Sequence, residues 1–142
     1  MAITLDTREY LDTVCALLAQ GHSSVAVPVR GSSMVPFLHN GDTVYLNVPT
    51  RPLKKGDIVL YTRPEGRYIL HRICGIRPDG SFLIAGDAQQ ELELVHVRQI
   101  CAIVTSARHR GKLISPGSLY WWAYRHIWRW LRPLRHRLMA LR

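Results

Sequence analysis

Lys55-Gly56-Asp57-Ile58-Val59-Leu60-Tyr61-Thr62-Arg63-Pro64-Glu65-Gly66-Arg67-Tyr68-Ile69-Leu70-His71-Arg72-Ile73-Cys74-Gly75-Ile76 sets two β-branched and aromatic runs on either side of a Pro-Glu-Gly turn. Each run has the length and composition of a strand, and each is bounded by residues that favour reversal of the chain. The same alternation continues outward. Ser24–Val29, Thr43–Val48, Phe82–Ala85 and Gln99–Ala107 are further runs, punctuated by Asn40-Gly41-Asp42, Pro78-Asp79-Gly80 and Gly86-Asp87. Short strands at regular spacing predict a mainly β fold, a small antiparallel sheet or barrel over residues 24–107.

The flanks read differently. Residues 7–20 form a predicted helix, capped by Thr7 or Asp6, with Tyr10, Val14, Leu17 and Leu18 on one face and Gly21 as its stop. The chain therefore divides into an N-terminal amphipathic helix (1–23), a β domain (24–107) and a basic C-terminal helix (108–142). With 142 residues, 47% hydrophobic and 20% charged, this is the composition of one folded domain with appendages. Cys15, Cys74 and Cys101 lack the close spacing of a zinc or redox motif, which predicts buried free thiols. Asp6, Glu9 and Asp12 interrupt the first segment before a signal-peptide apolar run develops, and no stretch reaches the roughly 18 apolar residues of a spanning helix.

The net charge of +9 belongs to one end of the chain. Residues 108–142 hold nine Lys and Arg side chains and no acid, so residues 1–107 are formally neutral. Within that tail Tyr120, Tyr124, Ile127, Leu131, Leu134, Leu138 and Leu141 recur at helical spacing, with Pro133 set to kink the helix. Trp121, Trp122, Arg125, Trp128, Arg129, Trp130 and Arg132 combine aromatic rings at headgroup depth with arginines for phosphates, which points first to a membrane surface. The apolar stripe packing on the β domain is the second reading. Nucleic acid is the third, disfavoured by the neutral domain and the lack of a helix-turn-helix pattern.

Chemistry concentrates in Val29-Arg30-Gly31-Ser32-Ser33-Met34-Val35-Pro36-Phe37-Leu38-His39-Asn40-Gly41-Asp42 read together with Leu70-His71-Arg72-Ile73. A serine hydroxyl needs a neighbouring base to become a nucleophile near neutral pH, and an imidazole suits that task. Alone, a serine in a Gly-Ser turn or a histidine in a strand is most often structural. Their order is what carries weight: Gly31-Ser32-Ser33-Met34-Val35-Pro36-Phe37-Leu38, then Gly41-Asp42, Gly56-Asp57-Ile58-Val59, His71-Arg72-Ile73 and Gly86-Asp87. This series resembles the S24/S26 serine peptidases, which include type I signal peptidases and the self-cleaving repressors, and the resemblance covers residues 25–105.

The resemblance implies Ser33 as nucleophile and His71 as base, on the Ser-His branch, like the endoplasmic-reticulum and archaeal type, of a class whose bacterial signal peptidases and repressors use lysine. It implies an acid to orient the imidazole, for which Asp87 and Glu93 are the two candidates, and an oxyanion hole begun by the Ser33 N–H. Ser32 stands beside that hole, and Met34 and Pro36 shape the pocket floor. The implied reaction is hydrolysis of a signal or leader peptide through an acyl-enzyme, losing activity as the imidazole protonates. The expected partners are a peptide substrate bound along a sheet edge and a membrane surface held by the tail. No cofactor and no metal are expected. A cytoplasmic, peripherally membrane-associated enzyme is the leading reading. A non-catalytic peptide-binding module, or a repressor-like domain using its tail on nucleic acid, are the alternatives.

Overall fold

Ile58–Thr62 is buried along nearly its whole length, so this strand must have a core on each side. Ile58 and Leu60 enter one hydrophobic cluster, and Val59 and Tyr61 enter the other. The period of two along a strand makes that division unavoidable. The computed structural model describes residues 4–128, and among them it places eight strands in one antiparallel sheet.

The elements in chain order are α1 (Thr4–Ala19), β1 (Val25–Pro28), β2 (Thr43–Asn47), β3 (Ile58–Thr62), β4 (Tyr68–Ile76), β5 (Phe82–Ala85), β6 (Glu93–Val95), a turn of 3₁₀ helix (Val97–Gln99), β7 (Ile100–His109), β8 (Lys112–Ile114) and α2 (Leu119–Ala123). A π-helical turn over Tyr124–Trp128 continues α2. The sheet order is β1-β2-β7-β3-β4-β5-β6, with β8 added to β7. On one edge β7 pairs with β2; on the other it pairs with β3 through Ile100–Ile103 and with β8 through Ala107–His109. The β2–β7, β3–β7 and β4–β5 ladders each shift register once, and such bulges coil the sheet.

Both predicted hairpin strands of the opening stretch hold, with Ile58 opposite Arg72 and Thr62 opposite Tyr68. Helix α1 covers the first cluster with Leu11, Val14 and Leu18. Tyr10, expected on that face, is instead 45% exposed, because the buried stripe runs one residue further round. Helical residues begin at Thr4, so neither Asp6 nor Thr7 is the cap. Gly21, at φ 99°, does end the helix: its N–H bonds to the Leu18 carbonyl and that of His22 to Leu17.

Other expectations fail at this level. The sheet runs past residue 107, since β7 continues to His109 and Gly111 reverses the chain into β8, so residues 108–114 are strand and turn and not the start of a basic helix. Cys15 and Cys101 are joined in a disulfide that ties α1 to β7, and Cys74 is the cysteine outside a disulfide among the described residues. The tail residue Trp121 is not at the surface. It is 1% exposed in the first cluster, edge-on to Phe37 at 5.1 Å, so its ring cannot reach a bilayer. Arg125 also turns inward, with its side chain against Gly56 and a guanidinium nitrogen 3.8 Å from the Asp57 carboxylate. The expected stripe is not what packs: Tyr120 and Ile127 are 41% and 45% exposed, and the side chain buried on the β domain is Trp121, one position round from Tyr120. Trp122 is half exposed, while the Trp128 side chain, Arg129, Trp130 and Arg132 lie outside the described residues.

Candidate active site

Ser33 sits in a loop whose base is closed by backbone bonds between Val29 N–H and the Asp42 carbonyl, and between Gly41 N–H and the Val29 carbonyl. Inside it, Gly31 takes φ 84°, a conformation that suits glycine, and its N–H donates to the Asn40 side chain at 3.0 Å. The Asp42 carboxylate accepts from the His39 N–H at 2.8 Å and lies 2.6 Å from His109 Nδ1. Met34, Phe37 and Leu38 drive the loop into the first cluster, so it is anchored by side chains as well as backbone. Phe37 additionally stacks on Tyr120, whose hydroxyl donates to the Phe37 carbonyl at 3.2 Å.

His71 lies on β4 opposite Val59, on the face of the second cluster, and is 4% exposed. Ser33 and His71 meet at Gly86. A methyl carbon added to Gly86 would collide with the Ser33 carbonyl oxygen and stand 3.1 Å from His71 Cδ2 and Nε2. That carbonyl also accepts a bond from the Ala88 N–H at 2.9 Å, so the serine loop is docked on the 86–88 turn. Both residues line one cleft of about 330 Å³, together with Val27, Met34, Leu60 and Leu70. The predicted pair therefore shares a cavity.

The two candidate acids separate. Asp87 is paired through both carboxylate oxygens with Arg72, at 2.8 and 2.9 Å, in a fully buried bidentate bridge. Both of its oxygens are thus engaged by the guanidinium, which gives Asp87 a structural part beside the site. Arg72 uses its remaining nitrogen on the Gly56 carbonyl and lies over the Phe37 ring at 5.0 Å. Glu93 is on the His71 side, but it meets the imidazole through an intermediary. The Tyr61 hydroxyl donates to Glu93 Oε1 at 2.8 Å and lies 3.4 Å from His71 Nδ1, while Arg63 holds both Glu93 oxygens at 2.9 Å.

The electrostatics follow from that layout. Burial pushes His71 down to about 4, against the opposing pull of Glu93. The imidazole is therefore neutral near pH 7, the state a general base requires. The Arg63 bond holds Glu93 below the usual carboxylate range, and burial raises the Tyr61 phenol, so the acid stays charged and the phenol stays protonated.

Of the remaining predicted residues, Ser32 is exposed, with its carbonyl accepting from the Val35 N–H. Met34 is buried and lines the cleft. Pro36 follows a cis peptide bond, and its carbonyl accepts from Tyr120 at 3.3 Å. Among the described residues no cluster of His, Cys, Asp and Glu could hold a metal.

A family model described as Peptidase S24-like matches residues 2–107. The chain belongs to that family. The signal peptidase complex catalytic subunit sec11 of Dictyostelium discoideum is 36% identical over 70 residues, a match covering 46% of this chain and 38% of that protein. The chain thus aligns with well under half of this relative's length. Within this S24-like chain the residues that sequence reasoning missed are Tyr61 and Arg63. Tyr61 is an aromatic in an apolar strand, where periodicity gives every sign of a core residue, and Arg63 stands in a turn. Neither carried a signal of its own.

Proposed function

We propose that this S24-like protein is a serine endopeptidase in which Ser33 attacks a peptide carbonyl and His71 carries the proton. The observation that carries this reading is the convergence of the Ser33 loop and the His71 imidazole on Gly86. His71 Nε2 takes the hydroxyl proton as Ser33 Oγ bonds to the carbonyl carbon. It then returns that proton to the leaving amine, and water releases the acyl group by the same route. The Ser33 N–H is the first donor to the oxyanion.

The substrate is an extended peptide lying between two open strand edges. Among the described residues, strand β1 pairs with β2 along one edge only, and residues 68–71 of β4 pair with β3 but have no β5 partner. A strand added there gains backbone bonds regardless of sequence, so side-chain pockets select. The cleft walls of Val27, Met34, Leu60 and Leu70 favour small apolar side chains such as those of signal and leader peptides.

Action beside a membrane is part of the proposal. Among the described residues no helix is long and apolar enough to cross one. Leu119, Trp122 and Ile127 are exposed around α2 and offer a surface for peripheral attachment. A cytoplasmic setting is tested by the redox state of the cysteines in cells, since disulfides persist chiefly in oxidising compartments. Reduced Cys15 and Cys101 support it, and a persistent bridge places the domain on the other side.

The test of activity is incubation of the full chain with a proteome-derived peptide library, reading new termini by mass spectrometry. Wild type is expected to generate a consistent set of cleavages that Ser33→Ala and His71→Ala both abolish while keeping the wild-type circular dichroism. Equal cleavage by Ser33→Ala overturns the reading, and no cleavage by wild type leaves a peptide-binding module.

A further inference from the structure

An imidazole can serve as a base only through a nitrogen that lacks a proton, and His71 has two nitrogens to choose between. We propose that Tyr61 makes that choice: as a positioning residue between His71 and Glu93, it holds the proton on Nδ1 and leaves Nε2 bare toward Ser33. The inference rests on the serine peptidase reading, yet it concerns a residue that the Ser-His pair alone does not require.

The argument begins with proton counting. A phenol has one proton to donate and lone pairs to accept with. Glu93 is a carboxylate, gripped by Arg63 through both oxygens at 2.9 Å, and can only accept. The 2.8 Å contact from Tyr61 to Glu93 Oε1 therefore consumes the phenol proton. What the Tyr61 oxygen turns to His71 is a lone pair, and the 3.4 Å contact to Nδ1 is favourable only if Nδ1 carries hydrogen. Neutral imidazole has one such hydrogen, so Nε2 is left with its lone pair.

The other end of the ring agrees. Cδ2 and Nε2 are the His71 atoms nearest Gly86, the residue against which the Ser33 carbonyl is packed. The bare nitrogen thus faces the nucleophile loop. Tyr61 has no freedom to adopt a different arrangement: it is fully buried on β3, two residues along from the Val59–His71 pair. When His71 takes up the serine proton, the new positive charge meets a phenol oxygen already polarised by Glu93, and the 3.4 Å contact shortens. The carboxylate acts at one remove, with its own charge matched by Arg63.

The experiment is long-range ¹H–¹⁵N correlation on the uniformly labelled full chain near neutral pH, with His71 assigned by the signals missing from His71→Gln. Wild type is expected to show a protonated Nδ1 and a bare Nε2. Tyr61→Phe removes the acceptor and is expected to populate the Nε2–H form that free imidazole prefers. In the library cleavage assay the same variant loses about tenfold in kcat with KM unchanged, the size of one neutral hydrogen bond. Glu93→Ala, which removes the acceptor and leaves the phenol proton free to turn to Nδ1, is expected to shift the tautomer in the same direction and carries the test if Tyr61→Phe does not fold. A wild-type His71 protonated on Nε2, or a folded Tyr61→Phe that keeps the Nδ1–H form, overturns the proposal. The tautomer is read without turnover, so an inactive wild type counts against the peptidase reading and not against this one.

Discussion

Arg72 and Asp87 form a bidentate buried ion pair at 2.8 and 2.9 Å, each one residue removed from the point where the site converges. Arg72 follows His71 on β4, and Asp87 follows Gly86 in the turn that docks the Ser33 loop. The bridge therefore fixes the distance between base and nucleophile without touching either reacting atom. Removing one partner strands a charge in the interior. Asp87→Ala is expected to cost about 3–5 kcal/mol in urea unfolding, since an unpaired buried guanidinium is left behind. A loss below about 1 kcal/mol, the range of an exposed pair, would show that the bridge is solvated.

Gly86 is where added volume does most harm to chemistry. A side-chain carbon there meets the Ser33 backbone and the His71 ring together, and backbone cannot swing aside. Gly86→Ala is expected to lower kcat/KM about a hundredfold or more, the scale of roughly an ångström of misplacement between reacting groups. Cleavage of the peptide library at wild-type rates by this variant contradicts the placement of the site.

The depressed His71 titration has two consequences with the same sign. The acid limb of kcat/KM is expected nearer 4 than the 6.5 of an ordinary histidine, because the imidazole stays neutral until lower pH. Stability follows linkage: between about 6.5 and 4 the unfolded chain binds a proton that the folded His71 refuses. His71 thus contributes a loss of stability as pH falls through that window. Urea midpoints of wild type and His71→Gln compared across it measure the term, and a difference that does not change with pH contradicts the burial argument.

Neighbouring tryptophans should behave oppositely. Trp121→Ala empties a site packed against Phe37 and is expected to cost about 3–5 kcal/mol. Trp122→Ala leaves stability within about 0.5 kcal/mol, as for an exposed side chain. It instead weakens co-sedimentation with phosphatidylglycerol vesicles. Unchanged sedimentation removes Trp122 from the membrane proposal.

Strands were readable wherever a run of apolar residues had turn residues at both ends. Tyr68–Ile76 and Phe82–Ala85 were expected with the bounds observed. Strand β6 escaped because Glu93-Leu94-Val95 is three residues long and carries a charge, and β8 because Gly111 reverses a strand that was expected to stop at Ala107. In the site, Ser33 and His71 stand in an ordered set of motifs, so their meeting in one cleft could be anticipated. The fate of Asp87 could not, because Arg72 and His71 are adjacent in sequence but point to opposite faces of β4. The Cys15–Cys101 bridge spans 86 residues with no local pattern to mark it.

The central claim, that the Ser33 hydroxyl becomes acylated, is tested most directly by acid-quenching the full chain during peptide cleavage and measuring intact mass. The account predicts an adduct equal to the N-terminal product less one water, located on Ser33 by fragmentation and absent from Ser33→Ala. Continued cleavage by Ser33→Ala, or an adduct on another residue, contradicts it.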